Sequence, residues 1–472
     1  MKYDVVIVGA GPCGIFCAYE LLEKNKDLKV LLVDKGHDIY HRKCPVMLHK
    51  IAKCPQNKDG VSGCYPACSI TNGFGGAGAY SDGKFNITSE FGGWMTDYLS
   101  ASLVEELICY VDSINLKYGA THVITDPTTE AVKEIEHKAI GAGLKLLRSR
   151  VRHLGTENNL QILQRMFDDL AKVIDMRFEC EASDVIVRDG KVCGVMLGDE
   201  FIETDKVLLS VGRDGSIWLE EICRKHHIDM THNQVDIGVR VEVRDEVMEF
   251  LNKNLYEAKL VYYTPTFDDK VRTFCTNPSG EVATEYYEDG LAVVNGHAYK
   301  SKEFKTNNTN FALLVSKNFT KPFKTPIEYG KQIAQLSNML CDGKILVQTF
   351  GDFQRGRRTT EKRLCRNNLI PTLKDAVPGD LSLVIPHRIM VDIKEMILAL
   401  DKVTPGIASD ETLLYGVEVK FYSNKVIVNK DFETSVKNLR AMGDGASVTR
   451  GLQQASANGL SVANSILSKL NK

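Results

Sequence analysis

Residues 3–14 of the chain read YDVVIVGAGPCG. A β-branched apolar run leads directly into three glycines with G-x-G-x-x-G spacing, and residues 15–22 continue with the apolar spacing of a helix. This order predicts a strand, a tight turn and a helix whose N-terminus binds a diphosphate. Gly9 makes the turn, Gly11 lets the backbone approach a ligand, and Gly14 lets the helix pack on the strand.

A second predicted strand, residues 29–33, ends at an acidic residue twenty positions after Gly14. A carboxylate at this distance typically accepts hydrogen bonds from the ribose hydroxyls of an adenosine. The motif and the acidic residue together predict a dinucleotide site at Gly9, Gly11, Pro12, Cys13, Gly14, Asp34 and Lys35.

The composition is that of an ordinary globular protein. The chain has 472 residues, 43% of them apolar and 25% charged, with a formal net charge of −2. The chain is too long for one compact core. Its small net charge favours neither nucleic acid nor an anionic membrane as partner. No apolar run is long enough to span a membrane, and the first residues do not match a signal peptide. Thirteen cysteines without a leader predict reduced thiols and a cytoplasmic location.

Residues 438–446, NLRAMGDGA, and 449–455, TRGLQQA, precede a predicted C-terminal helix. This segment resembles the second FAD fingerprint of the glutathione-reductase-like flavoprotein superfamily. The resemblance implies FAD rather than NAD, with Gly443 and Asp444 at the ribityl chain and the backbone of Gly451 and Leu452 at the flavin pyrimidine edge. A helix N-terminus there would stabilise an anionic reduced flavin.

Residues 181–187, 191–197 and 205–211 are predicted to form a β-meander that returns to the central sheet, with a hairpin turn at Asp189-Gly190. In the same superfamily this element closes over the adenine, which implies cofactor contacts at Ala182 and Gly212. The middle of the chain contains no second strand, G-x-G-x-x-G and helix unit. NAD(P)H would therefore be an external donor that reaches the flavin directly.

Residues 73–84, GFGGAGAYSDGK, are too rich in glycine for a regular element. Such a loop brings backbone amides close to a flat ring or a phosphate. Flavoproteins of this superfamily have a loop along the isoalloxazine at this position, so we assign Gly75, Gly76, Ala77 and Gly78 to the flavin. A mobile surface loop is the alternative.

Four cysteines, Cys44, Cys54, Cys64 and Cys68, precede this loop. Four thiolates can hold zinc or an iron–sulfur cluster, but C-x9-C-x9-C-x3-C is not a standard spacing. Metal binding at these four residues, thiol–disulfide exchange with the flavin, and ordinary thiols all remain open.

The middle of the chain predicts a mostly antiparallel sheet with helices, acting as a substrate domain that covers the flavin. Its predicted strands are residues 237–243, 258–263, 271–275, 291–294 and 311–315, with a turn at Asn295-Gly296. Residues 351–359, GDFQRGRRT, concentrate three arginines that would hold an anionic substrate or a nicotinamide phosphate, or form a solvated loop. His297 is a candidate proton donor, although a lone histidine is more often structural.

Several longer strings carry a closer resemblance: GFGGAGAYSDGKFNIT, VDIGVRVE, TNFALLVS, FQRGRRTTEKRL and ETLLYGVEVKFYS. With both FAD motifs, the chain resembles a bacterial family of FAD-dependent dehydrogenases, or NAD(P)/FAD-dependent oxidoreductases, of unassigned substrate. One departure is at residues 275–280, CTNPSG, where the family pattern has Cys-x-Cys-Pro-Gly-Gly. A role tied to that second cysteine is therefore not carried over.

These observations predict an α/β fold. A Rossmann-like FAD-binding domain, with a central parallel sheet and a β-meander, would comprise residues 1–234, including the Cys/Gly-rich loop 41–90, and residues 433–472. An inserted α+β substrate domain would comprise residues 235–432. The predicted function is hydride transfer between flavin N5 and a small organic substrate, with no catalytic side chain assigned. The alternatives are an electron-transfer flavoprotein with a cysteine-bound iron–sulfur or zinc site and a redox partner protein, or a non-catalytic flavin-binding redox sensor.

Overall fold

The structure is a computed structural model that describes residues 2–46, 48, 50, 51, 54, 55, 64–81, 83–125, 127–255, 257–287, 290–298, 302–320, 322, 323 and 325–470. Its strands are β1 Lys2–Tyr3, β2 Val5–Val8, β3 Val30–Val33, β4 Lys84–Ile87, β5 Leu144–Leu147, β6 Arg150–His153, β7 Asp175–Arg177, β8 Ala182–Arg188, β9 Lys191–Leu197, β10 Glu200–Thr204, β11 Val207–Leu209, β12 Met230–Thr231, β13 Val235–Arg244, β14 Lys259–Tyr263, β15 Lys270–Asn277, β16 Glu281–Tyr286, β17 Ala292–His297, β18 Asn308–Lys317, β19 Leu346–Thr349, β20 Val377–Pro378, β21 Leu413–Lys420, β22 Lys425–Val426 and β23 Leu439–Ala441. Its helices are α1 Pro12–Lys24, α2 Ala101–Lys117, α3 Glu130–Gly141, α4 Thr156–Leu170, α5 Ser216–Lys225, α6 Asp245–Asn254, α7 Pro326–Leu340, α8 Phe350–Gln354, α9 Glu361–Leu364, α10 His387–Asp401 and α11 Leu452–Leu470.

The chain forms two compact units. The first unit comprises residues 1–124, 149–233 and 423–472, and the second comprises residues 125–148 and 234–422. Each unit has its own buried hydrophobic core.

A five-stranded parallel sheet with the order β23-β11-β2-β3-β7 forms the centre of the first unit. Strands β2 and β3 are VVIV and VLLV, and every residue in both is buried, as in a parallel sheet covered on both faces. Strands β8, β9 and β10 form an antiparallel meander. The predicted Rossmann-like sheet with a β-meander is confirmed.

Two predicted strands of this unit differ in extent from those in the structure. The run 3–8 breaks at Asp4, whose carboxylate accepts a hydrogen bond from the Lys29 amide at 2.9 Å. Strand β1 then pairs with the meander strand β10, whereas β2 enters the central sheet. The predicted strand 205–211 returns to the central sheet as expected, but as the shorter strand β11, and the third meander strand is β10, which was not predicted.

An eight-stranded sheet with the order β20-β19-β21-β13-β18-β15-β14-β5 forms the second unit. Its pairs are antiparallel except for β19 with β20. The prediction of a mostly antiparallel sheet with helices is confirmed. Strands β5, β16, β19, β20 and β21 were not predicted.

The predicted turn at Asn295-Gly296 is wrong, because both residues lie within β17 and pair with β16. Asn295 donates from Nδ2 across the ladder to Glu285 Oε2 at 2.9 Å. A Cβ on Gly296 would lie 2.1 Å from Arg240 Nη2. The glycine therefore permits a close approach of a buried guanidinium to the strand, not a turn.

Within the described ranges, every helix is too short or too polar to cross a lipid bilayer.

Candidate functional site

The glycine motif of residues 9–14 forms the turn between β2 and α1. Gly9 has φ +105°, and a Cβ on it would lie 2.6 Å from Ser210 O. A Cβ on Gly14 would lie 2.1 Å from Gly9 O, so both positions exclude any larger residue. Gly11 differs, because no atom of a described residue lies within 4 Å of a Cβ built there. Its missing side chain leaves open space at the N-terminus of α1.

Asp34 connects three loops through its carboxylate. Oδ2 accepts from the Ala10 amide at 2.9 Å, while Oδ1 accepts from the amides of Gly36 and Gly73 at 2.8 Å each. The residue is half-buried. Because each carboxylate oxygen can accept two hydrogen bonds, Oδ2 keeps capacity for a ligand hydroxyl. Asp34 therefore also has a structural role that the sequence did not predict.

Arg42 holds the loop that follows the cysteines. It is buried, and its guanidinium donates to the carbonyl oxygens of Ser69, Ile70 and Phe74 at 3.0, 2.8 and 2.6 Å. Burial lowers the pKa of Arg42 to about 10. Tyr80 contributes its ring, 5.2 Å from the guanidinium carbon, and donates its hydroxyl to Arg42 O. We did not predict Arg42, because backbone carbonyls leave no sequence pattern.

The loop of residues 75–78 lies against both FAD-type motifs of the first unit. Gly75 donates its amide to Ala10 O at 2.8 Å and has φ +90°. A Cβ on Gly76 would lie 3.1 Å from Gly11 Cα, and one on Gly78 would lie 2.8 Å from Leu452 Cδ2. Gly11, Gly76, Gly78 and Leu452, predicted from three separate segments, thus meet at one place. We call this arrangement the glycine cradle.

The C-terminal motif packs on α1 and leads into α11. Gly443 has φ +78° and donates its amide to Asn458 Oδ1 at 2.8 Å. Asp444 accepts from Thr449 Oγ1 at 2.6 Å through Oδ1 and is half-buried. The Cys13 thiol lies 3.8 Å from Asn458 Oδ1, and burial raises its pKa, so Cys13 stays a neutral thiol in this contact.

A two-glycine turn that the sequence analysis did not single out holds the start of α11. Gly92 and Gly93 have φ +105° and +145°, and a Cβ on Gly93 would lie 2.6 Å from Thr449 Cα. Arg450 donates its amide to Gly92 O at 2.7 Å, and Trp94 donates its amide to Val448 O at 2.9 Å. Adjacent glycines before a tryptophan are the only signal the sequence offers for this contact.

The start of α11 also carries buried polar atoms without partners. In the part of the chain that the structure describes, Gln453 Nε2, Gln454 Oε1 and Asn458 Nδ2 are buried and meet no hydrogen-bond partner. Buried polar atoms of this kind cost free energy unless a ligand or water satisfies them. Together with the open space at Gly11, they fit a polar ligand such as the FAD diphosphate and ribityl chain.

Three further predicted cofactor residues lie at one end of the central sheet. Lys35 forms an ion pair with Asp214 at 2.7 Å, two residues after Gly212. The backbone just before Ala182 is hydrogen-bonded to the residue that follows β3, because the Cys180 amide donates to Asp34 O at 3.0 Å. The structure therefore brings Lys35, Ala182 and Gly212 to one end of the central sheet.

The four clustered cysteines are not arranged as a metal site. Cys44 is buried, Cys54 is exposed, and Cys64 and Cys68 are half-buried. Burial raises the pKa of Cys64, and the neighbouring thiols raise it further. Among the residues with described positions, no three His, Cys, Asp or Glu side chains are grouped to hold a metal ion. The metal assignment gains no support from this geometry.

Two other sequence candidates belong to the second unit. His297 is the exposed last residue of β17. Arg355, Arg357 and Arg358 follow α8, and Arg355 and Arg357 line an open cleft.

The fold and the glycine cradle define a dinucleotide-binding protein of the Rossmann type. Residues 7–41 match the family model of the NAD(P)-binding Rossmann-like domain. Residues 234–421 match the model described as FAD-dependent protein, C-terminal domain-like, and they span almost the same residues as the main segment of the second unit. The two matches identify a Rossmann-like nucleotide-binding segment at the start of the first unit and the C-terminal domain of an FAD-dependent protein in the second.

The chain is similar to an uncharacterised protein of Clostridium beijerinckii, with 26% identity over 493 residues that cover 99% of this chain and 81% of the relative. Among solved structures, L-proline dehydrogenase from P. horikoshii has 9% identity and a TM-score of 0.38, with 99% of this chain and 94% of that chain covered. A formate oxidase variant of Aspergillus oryzae has 13% identity and a TM-score of 0.44, with 100% of this chain and 99% of that chain covered. These TM-scores are low, and the likeness supports no statement about substrate.

Proposed function

We propose that the protein transfers hydride between N5 of FAD and a small organic substrate, with the cofactor bound along the glycine cradle. The observation that carries this proposal is the meeting of Gly11, Gly76, Gly78 and Leu452 beside open space. Three segments far apart in sequence supply these residues, and each belongs to a motif that FAD recognition would require.

The N-terminus of α1 would hold the diphosphate. The first intrahelical hydrogen bond runs from the Ile15 amide to Gly11 O at 3.0 Å. Pro12 occupies the first helical position and has no amide hydrogen, so the amides of Cys13 and Gly14 remain to bind an anion. The positive end of the helix dipole favours the same anion.

Two carboxylates would bind the sugar hydroxyls. Asp34 would accept from the adenosine ribose through Oδ2 while its other bonds keep the surrounding loops in place. Asp444 uses Oδ1 for Thr449, and its Oδ2 would accept from the ribityl chain. Ala182 and Gly212, at the same end of the central sheet, would contact the adenine.

The flavin ring would lie between the glycine loop and the start of α11. The amides of Gly75 to Gly78 would line the ring, and those of Gly451 and Leu452 would face its pyrimidine edge. The positive end of α11 would stabilise negative charge on the reduced ring. When bound, FAD supplies the hydride-accepting and hydride-donating chemistry; the chain positions the reactants and shields them from water.

A spectrum of the purified protein tests the proposal. Protein prepared without oxygen is measured by ultraviolet–visible absorbance before and after addition of NADH or NADPH, and its iron, zinc and sulfide are determined. We expect the absorbance bands of the flavin to bleach with one of the two donors. The chain has one dinucleotide fingerprint, which FAD would occupy, so the nicotinamide donor would be external.

The other outcomes separate the alternatives. Stoichiometric iron and sulfide would instead favour an electron-transfer flavoprotein that uses Cys44, Cys54, Cys64 and Cys68. A bound flavin that no donor reduces would favour a redox sensor. Protein that binds no flavin would overturn the proposal.

A further inference from the structure

An open cleft of about 190 Å³ lies within the second unit, beside α8 and α9. Four arginines line it, together with a buried aspartate and a second aspartate at its edge. These residues are Asp352, Arg355, Arg357, Arg363, Arg366 and Asp410, and we call the site the arginine cleft.

Asp352 anchors two of the arginines. Its side chain is only 3% exposed, and Thr349, the N-cap of α8, accepts its amide hydrogen bond. Arg357 donates from Nε to Oδ1 at 2.6 Å, and Arg363 donates from Nε to Oδ2 at 3.0 Å. Burial acts to raise the pKa of Asp352, but hydrogen bonds from Arg357, Thr359 and Arg363 outweigh it and the pKa is lowered. The carboxylate therefore stays ionised while two guanidiniums share it, which leaves one positive charge in excess.

Both arginines use Nε for this contact and keep terminal nitrogens for another partner. Among the residues that the structure describes, the guanidinium of Arg357 donates only this hydrogen bond from Nε. The guanidinium of Arg363 donates one further hydrogen bond, to Arg358 O. Arg366 donates from Nε to Lys362 O at 3.2 Å and forms no ion pair with a described carboxylate. Terminal guanidinium nitrogens of this kind match the geometry of phosphate oxygens.

The other charges of the cleft are already matched. Arg355 donates to Asp410 Oδ2 and to Gly351 O, both at 2.7 Å. Glu411 also lines the cleft, and its Oε1 accepts from Asn368 Nδ2 at 2.7 Å. Four arginines against three carboxylates leave a net charge of +1.

We propose that the arginine cleft binds a phosphate group of a small phosphorylated molecule. A solvated basic loop would not need a buried carboxylate to fix two guanidiniums. The contact with Asp352 holds Arg357 and Arg363 in place before a ligand arrives, so less side-chain entropy is lost on binding. This proposal is independent of hydride transfer, because it concerns only residues of the second unit.

Calorimetric titration of the flavin-loaded full chain with pyrophosphate, at fixed sodium chloride, tests the proposal. We expect saturable binding that Arg366→Ala weakens at least about tenfold, the loss expected for one charge-assisted hydrogen-bond donor. Arg366 makes no ion pair to a described residue, so this variant keeps the fold. Arg357→Ala should weaken binding as well, with flavin content and circular dichroism as the check on folding.

Arg358→Ala is the matched control. Its side chain is exposed and does not line the cleft, and the bond it gives Arg363 comes from its backbone. Binding by this variant should stay within about twofold of the parent, since a screened surface charge contributes little. Equal loss in Arg358→Ala and Arg366→Ala, or no binding beyond that of chloride, would overturn the proposal.

Competition against pyrophosphate identifies the source of the phosphate. Displacement by NADPH but not NADH would assign the cleft to the 2′-phosphate of a nicotinamide donor. Displacement by a sugar phosphate or ATP, but not by NADPH, would assign it to a phosphorylated substrate. If none of these compounds displaces pyrophosphate, the cleft is not a site for phosphorylated small molecules.

Discussion

Asn159 donates from Nδ2 to the carbonyl oxygen of Gly78 at 2.6 Å from a buried position on α4. This contact fixes the glycine loop from the side opposite the Rossmann turn, to which Gly75 is bound. A single side-chain amide thus helps to hold the backbone at which we place the flavin.

We expect Asn159→Ala to lower FAD affinity about tenfold and the free energy of unfolding by about 1–3 kcal/mol, because Gly78 O would lose its buried donor. Titration of the apoprotein with FAD and urea denaturation measure the two quantities. The neighbouring Asn158 is exposed and bonds only within its own turn, to Leu154 O at 3.2 Å. Asn158→Ala should therefore behave like the parent, and equal effects of the two variants would contradict the role of Asn159.

Gly11 and Gly14 should respond differently to alanine. Gly14→Ala places a Cβ 2.1 Å from Gly9 O and should destabilise the protein by at least about 3 kcal/mol, since backbone must move. Gly11 has φ −76° and open space, so Gly11→Ala should change the stability of the apoprotein by at most about 1 kcal/mol.

The same Gly11→Ala variant should bind FAD at least about tenfold more weakly, because the added methyl occupies space that the diphosphate needs. Thermal denaturation of the apoprotein and flavin titration separate the two effects. A Gly11→Ala protein with parental FAD affinity would show that the open space is not the diphosphate site.

Gly93→Ala tests the two-glycine turn. Its φ of +145° opposes a side chain, and a Cβ would lie only 2.6 Å from Thr449 Cα, so we expect a loss of at least about 2 kcal/mol in stability and weaker FAD binding. Gly190 is the control, since it has φ +72° but no described atom near its Cβ position. Gly190→Ala should cost only about 1 kcal/mol and leave FAD affinity unchanged. Equal FAD affinities in the two variants would remove the turn from the cofactor site.

A carboxyl pair in the second unit should make stability depend on pH. Burial raises the pKa of Asp392, and the neighbouring Asp269 raises it further. The pKa of Asp269 is lowered because hydrogen bonds from Arg388 and Lys317 outweigh its burial. The Asp392 carboxyl accepts from Thr264 Oγ1 at 2.7 Å, while its buried Oδ2 meets no donor among described residues.

A carboxyl group whose pKa is raised in the folded state stabilises the protein at pH values below the ordinary carboxyl pKa. This contribution to stability is lost as the pH rises through the folded-state pKa. Asparagine cannot ionise, so the Asp392→Asn variant should not lose stability in this way. Relative to the parent, the stability of the variant should therefore increase between about pH 4 and about pH 8. Thermal midpoints across this range measure the difference. Asp268→Asn, at an exposed neighbouring position, is the control, and its thermal midpoint should differ from that of the parent by the same amount at every pH. A difference in thermal midpoint between Asp392→Asn and the parent that does not change with pH would refute the assignment.

The parts of the fold that short-range patterns encode could be predicted from the sequence. The glycine spacing of residues 9–14 and the motif around Asp444 are local, and the structure brings both motifs to the cradle. The β-branched runs of the second unit likewise predicted five strands of its sheets. Periodicity and glycine spacing suffice where an element is defined by its own residues.

Contacts between distant segments could not be predicted in this way. Arg42 is held by carbonyl oxygens of residues 69–74, and any residue type offers a carbonyl. Asn159 and Gly93 act through single contacts with no periodic pattern. Strand β5, Leu144–Leu147, joins the edge of the second unit's sheet through pairing with β14, more than a hundred residues later. Such pairings are decided by the assembled fold, not by the segment alone.

The first unit is assembled from three separate stretches of the chain, and the last of them supplies β23, Asp444 and α11. Strand β23 pairs only with β11 in the described sheet, and Gly459 of α11 meets the backbone of α1 so closely that a Cβ would lie 2.1 Å from Cys13 O. During synthesis on a ribosome, the early strands and α1 therefore emerge long before the helix that completes their hydrophobic face. The cradle can close only after translation has passed α11, so the cofactor site would form late, after that helix has emerged. A chain that stalls before residue 452 would expose an apolar surface to chaperones and proteases.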